Sequence, residues 1–103
     1  MLGQIYVLGK SYERHRDMIA KRRSRFEIIV NILEVASKPM GVGKTHIMFE
    51  TNLSNELVQE YLNFVVDKKL ADVLTKSKRK LFKTNERGQE YIEKFRELKI
   101  LAI

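Results

Sequence analysis

The sequence predicts a mainly α-helical domain with one small β-hairpin, on three observations. Apolar residues recur at three- and four-residue spacing in three stretches of the chain. Two short β-prone runs lie on either side of a purely polar tripeptide. The 103 residues include one proline, five glycines and no cysteine, so regular elements rather than loops or disulfides carry the fold.

The clearest helix spans residues 24–37, where Phe26, Ile29, Val30, Leu33 and Ala36 form one apolar stripe. Ser24-Arg25-Phe26-Glu27 has the form of a capping box, in which the serine hydroxyl accepts from the Glu27 amide and the Glu27 carboxylate reaches back. Ser37-Lys38-Pro39 ends it, because the residue before proline avoids helical dihedrals. A basic helix over 11–23 precedes it, with Tyr12, Met18 and Ile19 as sparse apolar contacts. After Gly41-Val42-Gly43 comes a two-turn helix, 44–50, carrying Ile47, Met48 and Phe49, and then a turn at Thr51-Asn52-Leu53.

Ser54 is a good N-cap for a helix running to Lys69. Leu57, Tyr61, Leu62, Val65 and Val66 lie on its apolar face, with Asn55, Glu56, Gln59 and Asn63 opposite. Residues 71–75 and 79–84 form the hairpin, with Lys76-Ser77-Lys78 as its turn. Asn85 caps a last helix to Leu98, striped by Tyr91, Ile92, Phe95 and Leu98. Gly88 near its start marks close backbone packing, since glycine costs a helix about 1 kcal/mol relative to alanine. Three helices, a hairpin with a basic turn and a closing helix are the order of a winged helix-turn-helix. The chain divides into a basic extension (1–22, helix or arm), the winged domain (23–98) and a tail (99–103).

Composition narrows the chemistry. The absence of cysteine excludes thiolate zinc, iron–sulfur clusters and a cysteine nucleophile. His15 and His46 alone would need carboxylates to complete a metal site, and His46 is expected to pack or hydrogen-bond on its helix. Glu27 with Glu34, and Glu90 with Glu93, pair with no nucleophile, so neither catalysis nor a cofactor is expected. Gly41-Val42-Gly43-Lys44-Thr45 resembles the end of a P-loop, but that motif needs a glycine where Lys38 stands and a strand where a helix is expected. The apolar residues 1–9 lack the basic flank and cleavage site of a secretion leader, and no apolar run approaches 18 residues. The expectation is a soluble cytoplasmic protein, nucleoid-associated, with no membrane or small-molecule partner.

Charge is concentrated. The formal net charge is +7. Residues 10–25 hold Lys10, Arg14, Arg16, Lys21, Arg22, Arg23 and Arg25 against Glu13 and Asp17, and residues 70–84 hold Lys76, Lys78, Arg79, Lys80 and Lys83 against Asp72. The rest of the chain sums close to neutral. Two basic patches around a neutral helical region fit two grips on a phosphate backbone.

Over residues 22–98 the chain resembles the archaeal winged-helix DNA-binding family that includes small dimeric chromatin-type proteins and transcriptional regulators of motility genes. The resemblance lies in Arg25-Phe26-Glu27-Ile28-Ile29, Lys44-Thr45-His46-Ile47-Met48 and Asn52-Leu53-Ser54. It continues in the spacing of Tyr61-Leu62, Asp67 and Leu70, and in Thr84 with Gly88. It implies binding of double-stranded DNA, with helix 54–69 in a major groove, the hairpin turn near a minor groove or backbone, and a homodimer. Chromatin-type members dimerise through a long C-terminal coiled coil, for which residues 89–103 are too few. Dimerisation here falls to the last helix with Ile100, Leu101 and Ile103, or to residues 1–22.

On that reading Asn55, Glu56, Gln59 and Asn63 face base edges, amides being suited to adenine and a carboxylate to cytosine. Arg22, Arg23, Arg25, Lys44, Thr45, Ser54, Lys76, Lys78, Arg79 and Lys80 face phosphate or the minor groove. Tyr61 and Phe64 are core or partner surface rather than stacking platforms. Three functions stay open: a sequence-preferring transcriptional regulator, a low-specificity chromatin protein, and a winged-helix interaction module in a transcription or replication assembly, which Glu56 and Glu60 favour.

Overall fold

A computed structural model describes residues 23–102. The elements are α1 (Arg25–Val35), α2 (Lys44–Thr51), α3 (Asn55–Asp67), β1 (Ala71–Lys76), β2 (Arg79–Thr84) and α4 (Glu86–Ala102). The basic extension 1–22, its expected helix up to Arg22, and Ile103 lie outside the described residues.

Helix α1 opens on the capping box read from the sequence: the Glu27 amide donates to Ser24 Oγ (3.0 Å), and the Ser24 amide donates to the Glu27 carboxylate (3.2 Å). It is buried on more than one side, because α2, α3, α4 and β2 all pack on it. Ile28 and Ile32, which the single stripe omitted, are therefore core residues alongside Ile29, Val30, Leu33 and Ala36. Phe26 is the correction in the other direction: on the first turn it borders a groove beside α4 instead of entering the core, and is 64% exposed. The helix ends at Val35, two residues before Ser37. Its last carbonyls are taken by side chains and by the hairpin: Ser37 Oγ and Thr84 Oγ1 both donate to the Leu33 carbonyl (2.8 and 2.6 Å), and the Thr84 amide donates to that of Ala36 (3.1 Å).

Helix α2 starts at Gly43, which caps through backbone alone, and runs one residue past the expected end. Thr51 stays helical by donating its hydroxyl to the Ile47 carbonyl (2.6 Å), and Asn52 then stops the helix in the left-handed region at φ 59°. Met48 packs against the core, whereas Phe49 is exposed.

Ser54 Oγ caps α3 by accepting from the Leu57 amide (3.2 Å). The helix stops at Asp67 rather than Lys69, because Lys69 turns left-handed (φ 61°) and closes a Schellman motif. The Leu70 amide bonds the Val65 carbonyl (2.8 Å) and the Lys69 amide bonds that of Val66 (3.0 Å), with Leu70 and Val65 both buried. Val58, absent from the stripe read in the sequence, is fully buried, and Leu57 only partly. Ile32 and Leu33 from α1, Ile47 from α2 and Val58, Leu62 and Val65 from α3 form the sealed centre of the core.

The antiparallel hairpin runs in register from Ala71 opposite Thr84 to Lys76 opposite Arg79. Its turn is therefore two residues, Ser77 and Lys78, and Lys76 belongs to β1. Both turn residues have positive φ (50° and 66°), as a type I′ turn requires. Val42 adds a single antiparallel bridge to Phe82, with N–H···O distances of 2.9 and 2.7 Å. Gly41 permits this close approach with φ 78°.

At the start of α4, Asn85 Oδ1 accepts from the Gly88 amide (3.0 Å). Gly88 packs with no space for a side chain, since a Cβ there would run into the Leu70 carbonyl and the Thr84 methyl. The helix continues to Ala102, so residues 99–102 extend it rather than forming a tail. Ile92 is buried and Tyr91 and Phe95 pack against the core. Leu98, expected on the buried stripe, is 66% exposed, because α4 outruns the elements it packs on.

Candidate nucleic-acid interface

The amphipathic pattern of α3 leaves Asn55, Glu56, Gln59, Glu60 and Asn63 exposed on one side while Val58, Tyr61, Leu62 and Val65 are buried on the other. Asn55, Gln59 and Asn63 follow one another at four-residue spacing and so lie in a row. Lys44, the first residue of α2, closes on this row: its ammonium donates to Gln59 Oε1 (2.8 Å), and Gln59 Nε2 donates to Asn63 Oδ1 (3.0 Å). The structure thus joins three of the residues expected to meet DNA into one hydrogen-bonded chain spanning two helices.

The hairpin contributes at the same end of α2. A Cβ placed on Gly43 would lie 3.6 Å from Arg79 Nη2, so the first side chain of β2 reaches back over the start of α2. Gly43 supplies no side-chain cap and the first turn of α2 has no acidic residue, so its amide dipoles stand beside Arg79 and Lys44. That is an arrangement of positive potential. Thr45 is exposed on the next position. Ser54 Oγ is engaged in capping α3. Lys76, Lys78 and Lys80 are exposed at the far end of the hairpin, and Arg25 is exposed on α1.

Arg23 departs from the sequence expectation. Its guanidinium points into the fold, donating to Asn31 Oδ1 and to the Thr51 carbonyl (both 2.9 Å). Burial pushes the guanidinium pKa below its ordinary value, and the charge of Glu27 acts in the opposite sense. The residue ties the entry of α1 to the exit of α2, a structural role the sequence expectation did not assign to it. His46 is also corrected: it is exposed rather than packed. Among the described residues no three His, Cys, Asp or Glu side chains converge as a metal site. The sequence 41–45 follows α1 and a loop rather than a buried strand. Tyr61 is buried, and Phe64, 37% exposed, carries the Lys68 ammonium 5.9 Å from its ring centroid. No helix among the described residues is long and apolar enough to cross a membrane.

Sequence reasoning missed two features. The Lys44–Gln59 hydrogen bond joins residues 15 apart on different helices, and no local pattern signals it. The second is a groove of about 710 Å³ where the start of α1 meets α4, lined by Phe26, Tyr91, Phe95 and Leu98 among others. Its one signal was apolar residues in the last helix exceeding what a single core face needs. Among the described residues, none of those expected to touch DNA lines it.

Several solved structures share this architecture. Sso10a-2, a DNA-binding protein from Sulfolobus solfataricus, superposes with TM-score 0.68 at 21% identity, over 78% of this chain and 82% of its own. MepR, a transcription regulator of the Staphylococcus aureus multidrug efflux pump MepA, gives 0.61 at 16%, over 86% and 76%. Human N-acetylserotonin methyltransferase gives 0.55 at 20%, covering 86% of this chain but 26% of the enzyme. At these identities the likeness is one of fold. No curated protein sequence matches the chain. A family model for the winged helix-turn-helix does match it, across residues 22–102, which takes in all six elements. The chain belongs to the winged helix-turn-helix family.

Proposed function

We propose that this protein is a transcriptional regulator that binds duplex DNA as a homodimer, in the cytoplasm and at the nucleoid. Helix α3 enters a major groove with Asn55, Glu56, Gln59 and Asn63 toward base edges. Lys76, Lys78, Arg79 and Lys80 lie on the backbone or in the minor groove, and Arg25, Lys44, Thr45 and Ser54 stand near phosphates. Arg22 extends the grip from outside the described residues. The observation that carries this reading is the convergence of Lys44, Gln59, Asn63 and Arg79 where α2, α3 and the hairpin meet. A row of amides flanked by cations has the chemistry of base and phosphate contact. The DNA-binding and regulatory roles of Sso10a-2 and MepR support it. The exposed Leu98, Ile100 and Leu101 supply the dimer contact on α4.

A second reading, an interaction module for another protein, draws on Glu56 and Glu60, whose carboxylates stand exposed on α3 where phosphates would repel them. Fluorescence anisotropy separates the two. The chain is titrated with a random duplex of about 20 base pairs and with a selected pool, from low to physiological salt. Enrichment of a palindrome supports the dimeric regulator, and tight binding with a steep salt slope but no enrichment supports a chromatin-type coat. No binding at low salt overturns the DNA reading. In Arg79→Ala with Lys80→Ala, affinity falls on every sequence and the salt slope shallows by about 0.9 for each phosphate that is no longer neutralised.

A further inference from the structure

We infer that Lys44 sets the base preference of α3, holding Gln59 so that this surface reads guanine rather than adenine. The inference rests on the DNA-binding reading above and concerns what that surface selects.

A free glutamine recognises adenine with both ends of its amide, Oε1 accepting from N6 and Nε2 donating to N7. Each end of Gln59 is already engaged by one partner, and the acceptor end lies against a full positive charge. A lysine ammonium carries only donors, so its 2.8 Å approach to Gln59 must go to Oε1. That turns Nε2 toward Asn63, and Asn63 must answer with Oδ1, at 3.0 Å. The polarity of the whole chain follows from the one group that cannot accept. Lys44 keeps two N–H donors, Gln59 one and Asn63 two, five in all, against a single remaining lone pair on each amide oxygen.

An adenine N6 amino group approaching Gln59 Oε1 would come up against the Lys44 ammonium, donor to donor. Guanine presents the opposite face, with O6 and N7 as adjacent acceptors. The same base pair explains the carboxylates on this helix. Glu56 precedes Gln59 by three residues and Glu60 precedes Asn63 by three, the spacing of helical neighbours. The cytosine of a G·C pair offers its N4 amino donor to such a carboxylate. Lys44 is a positioning residue here, acting through the amide it orients.

The test is selection from a duplex pool, followed by sequencing, with the full chain and its Lys44→Met, Lys44→Arg and Gln59→Ala variants. All three substitutions change surface side chains, and circular dichroism checks that each variant is folded. The unaltered protein should enrich guanine at one position, and Gln59→Ala should abolish that preference. Lys44→Met should turn the same position to adenine, by roughly five- to a hundred-fold in relative enrichment. Lys44→Arg, still donor-only, should keep guanine. Adenine or no base preference in the unaltered protein overturns the inference, and so does guanine retained by Lys44→Met. Loss of guanine without gain of adenine would mean that Lys44 reads the base itself, which also overturns the positioning role. Each of these leaves duplex binding intact. Failure of every protein to retain DNA at low salt would instead overturn the DNA reading and this inference with it.

Discussion

The hydroxyl of Thr84, at the end of β2, donates across 2.6 Å to the carbonyl of Leu33 inside α1, in a buried bond between residues 51 apart. That carbonyl is one of four at a helix end with no partner of their own. The strand therefore completes the helix, and the helix fixes where the hairpin departs. Thr84→Val keeps the shape and removes the donor. Ser37 Oγ still reaches the same carbonyl, so the destabilisation should be about 1 kcal/mol, read by urea denaturation with an unchanged m-value.

Gly88→Ala sets two effects against each other. Alanine favours a helix over glycine by about 1 kcal/mol. The new methyl would meet the Leu70 carbonyl and the Thr84 methyl, and backbone cannot rotate away as a side chain can. Overpacking should win, with a net destabilisation of about 1–3 kcal/mol. An unchanged or raised Tm would show that the packing between α4 and Leu70 relaxes freely.

The turn of the hairpin offers a separation of stability from charge. Ser77 and Lys78 hold positive φ without being glycine or asparagine. Replacing them as Ser77→Asn with Lys78→Gly should stabilise the fold by about 0.5–1 kcal/mol. The exchange removes one cation, so the salt slope of DNA binding should shallow by about 0.9 while Tm rises. A slope that does not move would remove Lys78 from the interface.

Arg23→Ala tests the inward tether. Removing its bonds to Asn31 and Thr51 should destabilise by about 1–3 kcal/mol. The salt slope for DNA should stay as it was, measured at a temperature where both proteins are folded. A shallower slope would return Arg23 to the groups that meet phosphate.

Tyr91 makes stability depend on alkaline pH. Burial pushes its phenol above the ordinary value of about 10. The folded state then holds the proton more tightly than the unfolded one, so this contribution is present in full below pH ~10 and is lost as pH rises through the folded-state value. Denaturation curves above pH ~10 should therefore fall less steeply with pH for Tyr91→Phe than for the unaltered protein.

Much of the fold was legible because its signals are local. The capping box at Ser24 and the caps at Ser54 and Asn85 each depend on residues within a few positions, and each stands where the sequence placed it; Gly88 was legible because a glycine inside a helix is itself a local signal. What was missed depends on partners far along the chain. Ile28, Ile32 and Val58 are buried because several elements surround their helices, and a stripe drawn for one apolar face leaves them out. Helix ends shifted by one or two residues where a distant group intervened, as Thr84 does at α1, or where a non-glycine turned left-handed, as at Lys69. The same holds for the candidate interface. The polar row on α3 could be read from periodicity, but its junction with Lys44 and the withdrawal of Arg23 could not.

The junction around Leu70 has a mechanical consequence. Its amide closes the end of α3, its carbonyl accepts from the Asn85 amide (3.2 Å), and Gly88 presses against that same carbonyl. The exit of one helix and the entry of another thus turn about a single residue. Helix α4 extends from this pivot for 17 residues, an arm of roughly 25 Å at 1.5 Å per residue. Leu98, Ile100 and Leu101 stand exposed at the far end of that arm, so the residue that ends α3 also helps to fix where this apolar surface is held.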